Sequence, residues 1–358
     1  MHSAYRSTPP PAIAAAELSE APVVKDNCGY DPVLRRWFIF NGKFWDSSDK
    51  YAPYPFLDRA MDDMFPQGYS SQFFYRVFRL LKGCLNISVN PYITGFTTFT
   101  NGMLNTETGE LLEPDREKYI PWGVPYDYVP TAQCPGVQEF LLQCASGDTE
   151  TVQVLRAFMR GLLTDGWKLN RFLEIVGPGF TGKTAFVHLC HLLVGDDNMG
   201  IEFSYRTSNS DFSLATLYKR KLVEFNFGPN RAMGMRNLEA LTSGKGFTFR
   251  RKYEKQAGPV IFTGMVITIE DKYVVYTDKI RERKLAIRFD NVVPVGKERY
   301  LLPEFEAEIE GVASWVLAMD PKKANQLLSG TVPTGRKAVP TGRKAAPTNP
   351  TKYGYNGD

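Results

Sequence analysis

The stretch 171–195 reads RFLEIVGPGFTGKTAFVHLCHLLVG, and it decides the fold. RFLEIV is a short apolar run with strand character, and AFVHLCHLLVG is an apolar helical run closed by Gly195. Between them, Gly177, Pro178, Gly179, Phe180, Thr181, Gly182, Lys183 and Thr184 match G-x-x-x-x-G-K-[ST] at every fixed position. Glycines let the backbone curl into a nest whose N–H groups converge on phosphate oxygens, and the following helix adds its positive end. Lys183 is expected at the β- and γ-phosphates and Thr184 on Mg²⁺. A turn that only joined a strand to a helix would not need Lys and Thr after its last glycine. The expected ligand is therefore ATP with Mg²⁺, cradled by Gly177–Thr184, with Thr184 as the metal ligand.

Working outward, strands are expected at 221–226, 265–269 and 285–289 and a helix at 234–242, which makes this part an α/β layer. Upstream, YDPVLRRWFIFNGKFWD places two aromatic-rich runs around Asn41-Gly42, a hairpin signature. SSQFFYRVFRLLK, at 70–82, puts Phe74, Val77 and Leu81 on one helical face. TTFTNGMLNTETGELLEP reads as strands with turns at Asn101-Gly102 and Thr108-Gly109, and 121–135 as a proline-rich connector before helices near 137–145 and 149–163. The expected organisation is a disordered arm (1–25), a mixed α+β accessory domain (26–165), the nucleotide-binding domain (166–292), a short segment (293–326) and a basic low-complexity tail (327–358). In the tail VPTGRKA occurs twice.

Composition narrows the class. With 43% hydrophobic and 13% aromatic residues, most of the chain can bury a core. No apolar run is long enough to span a bilayer, and the N-terminus lacks a signal-peptide pattern, so a cytoplasmic location (host cytoplasm for a phage or plasmid protein) without membrane contact is expected. Five widely spaced cysteines suggest reduced thiols, and His188, Cys190 and His191 share one helix without further ligands nearby. The net charge is only +4, but its distribution is uneven. Between 216 and 255 Lys219, Arg220, Lys221, Arg231, Arg236, Lys245, Arg250, Arg251, Lys252 and Lys255 oppose only Glu224, Glu239 and Glu254, and the tail is basic too. Such zones suit a polyanion or a solvated face.

Several ordered segments around the loop resemble the superfamily 3 helicases, in particular the C-terminal helicase part of phage and plasmid primases and related poxvirus proteins. They are FTNGMLNTETGELLEP, VPYDYVPTAQCPGVQEFL, LLTDGWKLNRFLEIVGPGFTGKTAF, DFSLATLYKRKLVEFN, LEALTSGKGFTFRRKYEKQ, RERKLAIRFD and EIEGVASWVL. The resemblance implies a P-loop NTPase (AAA+-like) core behind an accessory domain. It also implies self-association into a ring, usually a hexamer, around single-stranded or forked DNA. By position it puts Lys245, Arg250, Arg251 and Lys252 on a DNA-contacting hairpin and Arg283, or Lys284, on an arginine finger reaching a neighbour's ATP. Phe247 and Phe249 on that hairpin read as core residues or as stacking platforms.

The chain departs from the family pattern at three places. Asn226 and Phe227 stand where the second acidic motif ends in a carboxylate, with Glu224 mid-strand. Glu270 or Asp271 meets the position of a polar sensor, and the finger reads Arg281-Glu282-Arg283-Lys284 without adjacent arginines. Two functions are weighed first: an ATP-dependent, ring-forming DNA helicase in replication of a mobile element, and a hydrolysis-impaired ATP- and DNA-binding replication protein of the same descent. An ATPase of another P-loop branch, with no DNA partner, is the third.

Overall fold

The computed structural model describes residues 8–32, 35–46, 53–89, 93–203, 217, 220–227, 231–246, 261–272, 274–294, 296 and 299–330. The basic tail beyond Gly330 lies outside them, as do Arg250, Arg251, Lys252, Phe247 and Phe249.

The N-terminal part opens with helices α1 (Pro11–Glu20) and α2 (Pro22–Lys25), where the sequence suggested a disordered arm. Each begins with a proline in its first turn, where the missing N–H costs nothing. Ala14, Ala15 and Leu18 are buried, and that tertiary burial overrides a composition that looked unstructured. Strands β1 (Cys28–Asp31), β2 (Arg36–Phe40) and β3 (Trp45–Asp46) form an antiparallel sheet, with the expected hairpin at Asn41-Gly42. Helices α3 (Tyr54–Met64) and α4 (Ser71–Cys84) complete a core with α1 and α2 that includes Leu57, Met61, Val77 and Leu81. Ser70 caps α4, its side chain accepting from Phe73 N at 3.1 Å. Phe74, Val77 and Leu81 are buried, as their spacing predicts.

A second small sheet holds β4 (Phe96–Phe99), β5 (Gly102–Asn105) and β6 (Leu111–Leu112), joined at the two expected turns. Helices α5 (Pro135–Cys144) and α6 (Thr149–Leu163) lead into a five-stranded parallel sheet. Its strands are β7 (Phe172–Val176), β8 (Met199–Phe203), β9 (Leu222–Asn226), β10 (Met265–Glu270) and β11 (Lys284–Arg288), in the order β11-β7-β10-β9-β8. The order is consistent with a P-loop, AAA+-like core. Helices α7 (Lys183–Val194), α8 (Arg231–Thr242), α9 (Asp278–Arg281), α10 (Leu302–Leu317) and α11 (Pro321–Ser329) complete the described chain.

The FLEIV alternation sorts β7 between two cores. Leu173 and Ile175 join α6, α7 and α10 on one face, whereas Phe172 packs with Val223, Phe225 and Leu238 on the other. The first of these cores also contains Phe99, Leu104 and Trp122, so packing runs without a break across the boundary expected near 165.

At the start of β9 the Lys221 ammonium is buried 4.2 Å from the centroid of the Trp122 ring. Burial lowers its pKa to about 8, against a smaller opposing effect of Asp165. Between about pH 8 and its ordinary value of 10.5 the unfolded chain thus holds more protons at this site, so this site adds stability as pH rises through that window. Lys221→Met is expected to flatten this alkaline rise. Urea denaturation of both chains at pH 7.5 and 9.5 checks it, and an unchanged slope would show that Lys221 titrates normally.

Candidate nucleotide site

The glycine-rich turn Gly177–Gly182 leaves the C-terminal end of β7, flanked in register by Glu270 of β10 and Arg288 of β11, which both pair with Val176. In parallel sheets this edge is where ligands bind. Gly177 N donates to Glu270 O (3.1 Å), and Phe289 N donates to Val176 O (2.9 Å). The Gly177 Cα faces the Phe289 carbonyl so closely that a Cβ would lie 1.9 Å from that oxygen. Phe180 is 65% exposed in the left-handed region (φ 61°), its carbonyl accepting from Val293 N at 2.9 Å. Gly182, also left-handed (φ 89°), is the N-cap residue of α7, and a Cβ there would meet Cys144 Sγ at 2.6 Å.

Lys183 opens α7 with its ammonium turned into the loop. Nζ donates to Gly177 O (2.6 Å) and Pro178 O (2.7 Å) and stands 3.3 Å from Asp271 Oδ1. Thr181 is buried and donates to Pro178 O at 3.0 Å, while Thr184 is exposed at the cleft. Gly179–Ala185 and Ile269–Asp271 line a cleft of about 560 Å³. The amides of the first turn of α7 have no partner within the helix and add a positive end to it. A smaller, mostly apolar pocket of about 270 Å³ adjoins it across Phe180 and Gly182, lined by Phe140, Cys144, Val293 and Leu301 with the polar Gln143 and Asn291 and the charged Glu139, Arg299 and Glu304. Asn291 Nδ2 donates to Gln143 O at 3.0 Å. This pocket draws on α5, the loop and the segment before α10, so no local pattern announces it.

The loop residues thus come together, with Asp271 beside Lys183 as the carboxylate. The position after β9 carries none. Phe227 is half-buried, edge-on to Phe225 (5.1 Å) and Tyr276 (5.8 Å). Glu224 lies mid-strand opposite Ile267, its Oε1 accepting from Asn226 Nδ2 at 3.3 Å.

Arg283 is not gathered into the site of its own chain. It precedes β11 at the far end of the sheet, where its carbonyl accepts from Phe172 N at 3.1 Å. Five residue steps separate it from Arg288, roughly 17 Å at about 3.3 Å per residue. Its guanidinium donates to Glu239 O and Thr242 Oγ1 (both 3.4 Å), at the last turn of α8. Lys245 is exposed at that same end, just after Gly244, which packs on Asn170. Lys284, the alternative finger, is a correction. Its Nζ lies 2.8 Å from Oε2 of the fully buried Glu174, an interior ion pair that leaves no cation to extend toward a neighbour. Tyr276 Oη donates to the other carboxylate oxygen at 2.7 Å. Burial, then the adjacent Glu174 charge, raise the tyrosine pKa and keep it protonated.

Comparison with known proteins matches residues 23–145 to the family described as "D5 N terminal like". An uncharacterized mitochondrial protein, ymf21, of Marchantia polymorpha is 29% identical over 112 residues, 28% of this chain; the chain spans 62% of that relative's length. Among solved structures, the apo structure of the NrS-1 C terminal region (305-718) superposes with a TM-score of 0.59 at 15% identity, covering 88% of this chain and 74% of that one. The A form apo structure of the same region gives 0.56, also at 15% identity, covering 85% and 71%. At that identity the likeness is one of fold. The domain match is confined to residues 23–145, and the fold likeness extends over most of the chain. No helix among the described residues is long and apolar enough to cross a membrane.

Proposed function

We propose that this chain is an ATP-dependent DNA helicase, a ring-forming translocase on single-stranded DNA that serves replication of a mobile element. The observation that carries the reading is Lys183 at the start of α7, held by loop carbonyls in a cleft that Thr184 and Asp271 share. The residues fit a nucleoside triphosphate with Mg²⁺. Gly177 allows a backbone path that any Cβ would block, and the first turn of α7 offers free amides to an anion. Lys183 and the 177–182 backbone would hold the phosphates, and Thr184 would offer its hydroxyl to the metal. The mostly apolar pocket beyond Phe180 suits a base. Bound Mg²⁺ would supply charge neutralisation at the phosphates.

Asp271 is placed to take the part of the missing carboxylate, orienting a water and steadying the Lys183 ammonium. Arg283 acts only from a neighbouring subunit on this reading, since it stands at the far end of its own sheet. Lys245, with Arg250, Arg251 and Lys252, is assigned to the DNA backbone.

A second reading rests on Phe227. With an aromatic ring packed where a carboxylate is expected, the protein binds ATP and assembles on DNA with little turnover. Steady-state ATP hydrolysis with and without single-stranded DNA separates the two. The helicase reading expects turnover stimulated by DNA, lost at least about 100-fold in Lys183→Ala and about 10²–10³-fold in Asp271→Asn, by analogy with the loss of one charge-stabilising group. Tight ATP binding without turnover would favour the second reading. DNA-independent turnover together with absent DNA binding would indicate an ATPase of another branch.

A further inference from the structure

We propose that the outer face of α4 is a second binding site for single-stranded nucleic acid, on the N-terminal part and separate from the nucleotide cleft. The proposal rests on the DNA-binding half of the function above.

Residues 71–84 read SQFFYRVFRLLKGC, three basic residues and no carboxylate. Phe73, Phe74, Val77 and Leu81 face the core. Gln72, Arg76, Arg79 and Gly83 then fall on the opposite side at i, i+4, i+7 and i+11, forming one exposed stripe. Tyr75 borders it on one side, 61% exposed, and Leu80 on the other, 41% exposed. A surface helix usually supports its arginines with acids three or four residues away. Here those positions hold Gln72, Phe73, Tyr75, Leu80, Lys82 and Gly83. Among the described residues neither Arg76 nor Arg79 has an ion-pair partner. Lys82 adds a third positive charge near the C-terminal end, 5.0 Å from the Tyr30 ring centroid.

Gly83, the penultimate residue of α4, leaves the end of the stripe open, since a Cβ there would meet nothing within 4 Å.

A basic stripe beside an exposed aromatic ring is the combination that tracks a phosphate backbone while stacking a base. A polyanion matches this charge distribution better than an apolar protein partner, because two unpaired guanidinium groups would be desolvated in a dry interface.

The test uses the full chain, a fluorescein-labelled oligothymidylate and anisotropy titrations from 50 to 200 mM salt. Arg76→Glu/Arg79→Glu is expected to weaken binding at least about tenfold and to lower the slope of log K against log salt by about 1.4, the value for two lost single-strand phosphate contacts. Tyr75→Ala is expected to weaken binding about tenfold with the slope kept. Binding of a fluorescent ATP analogue and the circular dichroism spectrum should stay as in the parent chain. Should the charge reversal perturb the fold, Arg76→Gln/Arg79→Gln replaces it, with the same change of slope expected. Parental affinity and slope in the variants would overturn the proposal while leaving the DNA reading standing. Failure of the parent chain to bind the oligonucleotide at 50 mM salt would overturn both, whereas ATP binding would still judge the nucleotide cleft. A variant that alters only sedimentation behaviour would show the face to be a contact between copies, and would overturn it too.

Discussion

Lys284→Ala is expected to lower the unfolding free energy by about 3–5 kcal/mol, the cost of leaving a buried charge without its partner. Glu174 has no solvent exposure and lies in the middle of β7, between Thr268 of β10 and Ala286 of β11 in register. Its carboxylate is held by Lys284 at 2.8 Å and by the Tyr276 hydroxyl at 2.7 Å. Among the described residues, removing the ammonium leaves only the tyrosine. The double variant Glu174→Met/Lys284→Met replaces the pair by apolar groups of similar length, and such replacements are often near neutral. Urea denaturation should therefore rank the single variant well below both the parent and the double variant. Equal losses in the single and double variants would mean that packing, not charge, holds this part of the sheet. Because Lys284 lies on the strand that follows Arg283, the single variant should also disturb the far end of the sheet, where Arg283 bonds to α8.

Gly177→Ala carries the other large effect. The new methyl would stand 1.9 Å from the Phe289 carbonyl oxygen, a backbone atom that no rotamer change can move. The ends of β7 and β11 would have to separate, breaking the Phe289 N to Val176 O hydrogen bond that joins them. Overpacking of this kind costs about 1–3 kcal/mol and sometimes more. The loop would also lose the path that brings the Lys183 ammonium to Gly177 O, so binding of a fluorescent ATP analogue should fall at least about tenfold, or about 1.4 kcal/mol. Gly179→Ala is the paired control. Nothing lies within 4 Å of its Cβ position, so stability should stay within about 0.5 kcal/mol of the parent. Similar behaviour in the two variants would sink the steric account.

The elements that position the cleft were readable because their signals are local. The strand, loop and helix of 171–195 are encoded by adjacent residues, and their alternation, glycines and closing Gly195 need no distant partner. The Asn41-Gly42 hairpin and the apolar face of α4 followed for the same reason. Helix α1 escaped because PAIAAAELSE is weakly amphipathic. Its order comes from burying Ala14, Ala15 and Leu18 in the core that it shares with α4.

The phosphate chemistry proposed for the loop, with a backbone nest, Lys183 and the Thr184 hydroxyl, is written within eight consecutive residues, since such recognition uses the backbone of a single turn. The roles of the charged side chains were decided by tertiary packing. Asp271 reaches Lys183 because β10 lies beside β7, and Arg283 is kept from the same cleft because β11 runs parallel to β7 and starts at the end of the sheet opposite the loop. Lys284 turned inward because Glu174, buried in the adjacent strand, needed a cation. Tyr276, 102 residues along the chain from that carboxylate, completes its shell. A residue's type is written in one position, but whether its charge meets water, a ligand or a buried partner depends on the segments that the fold brings against it.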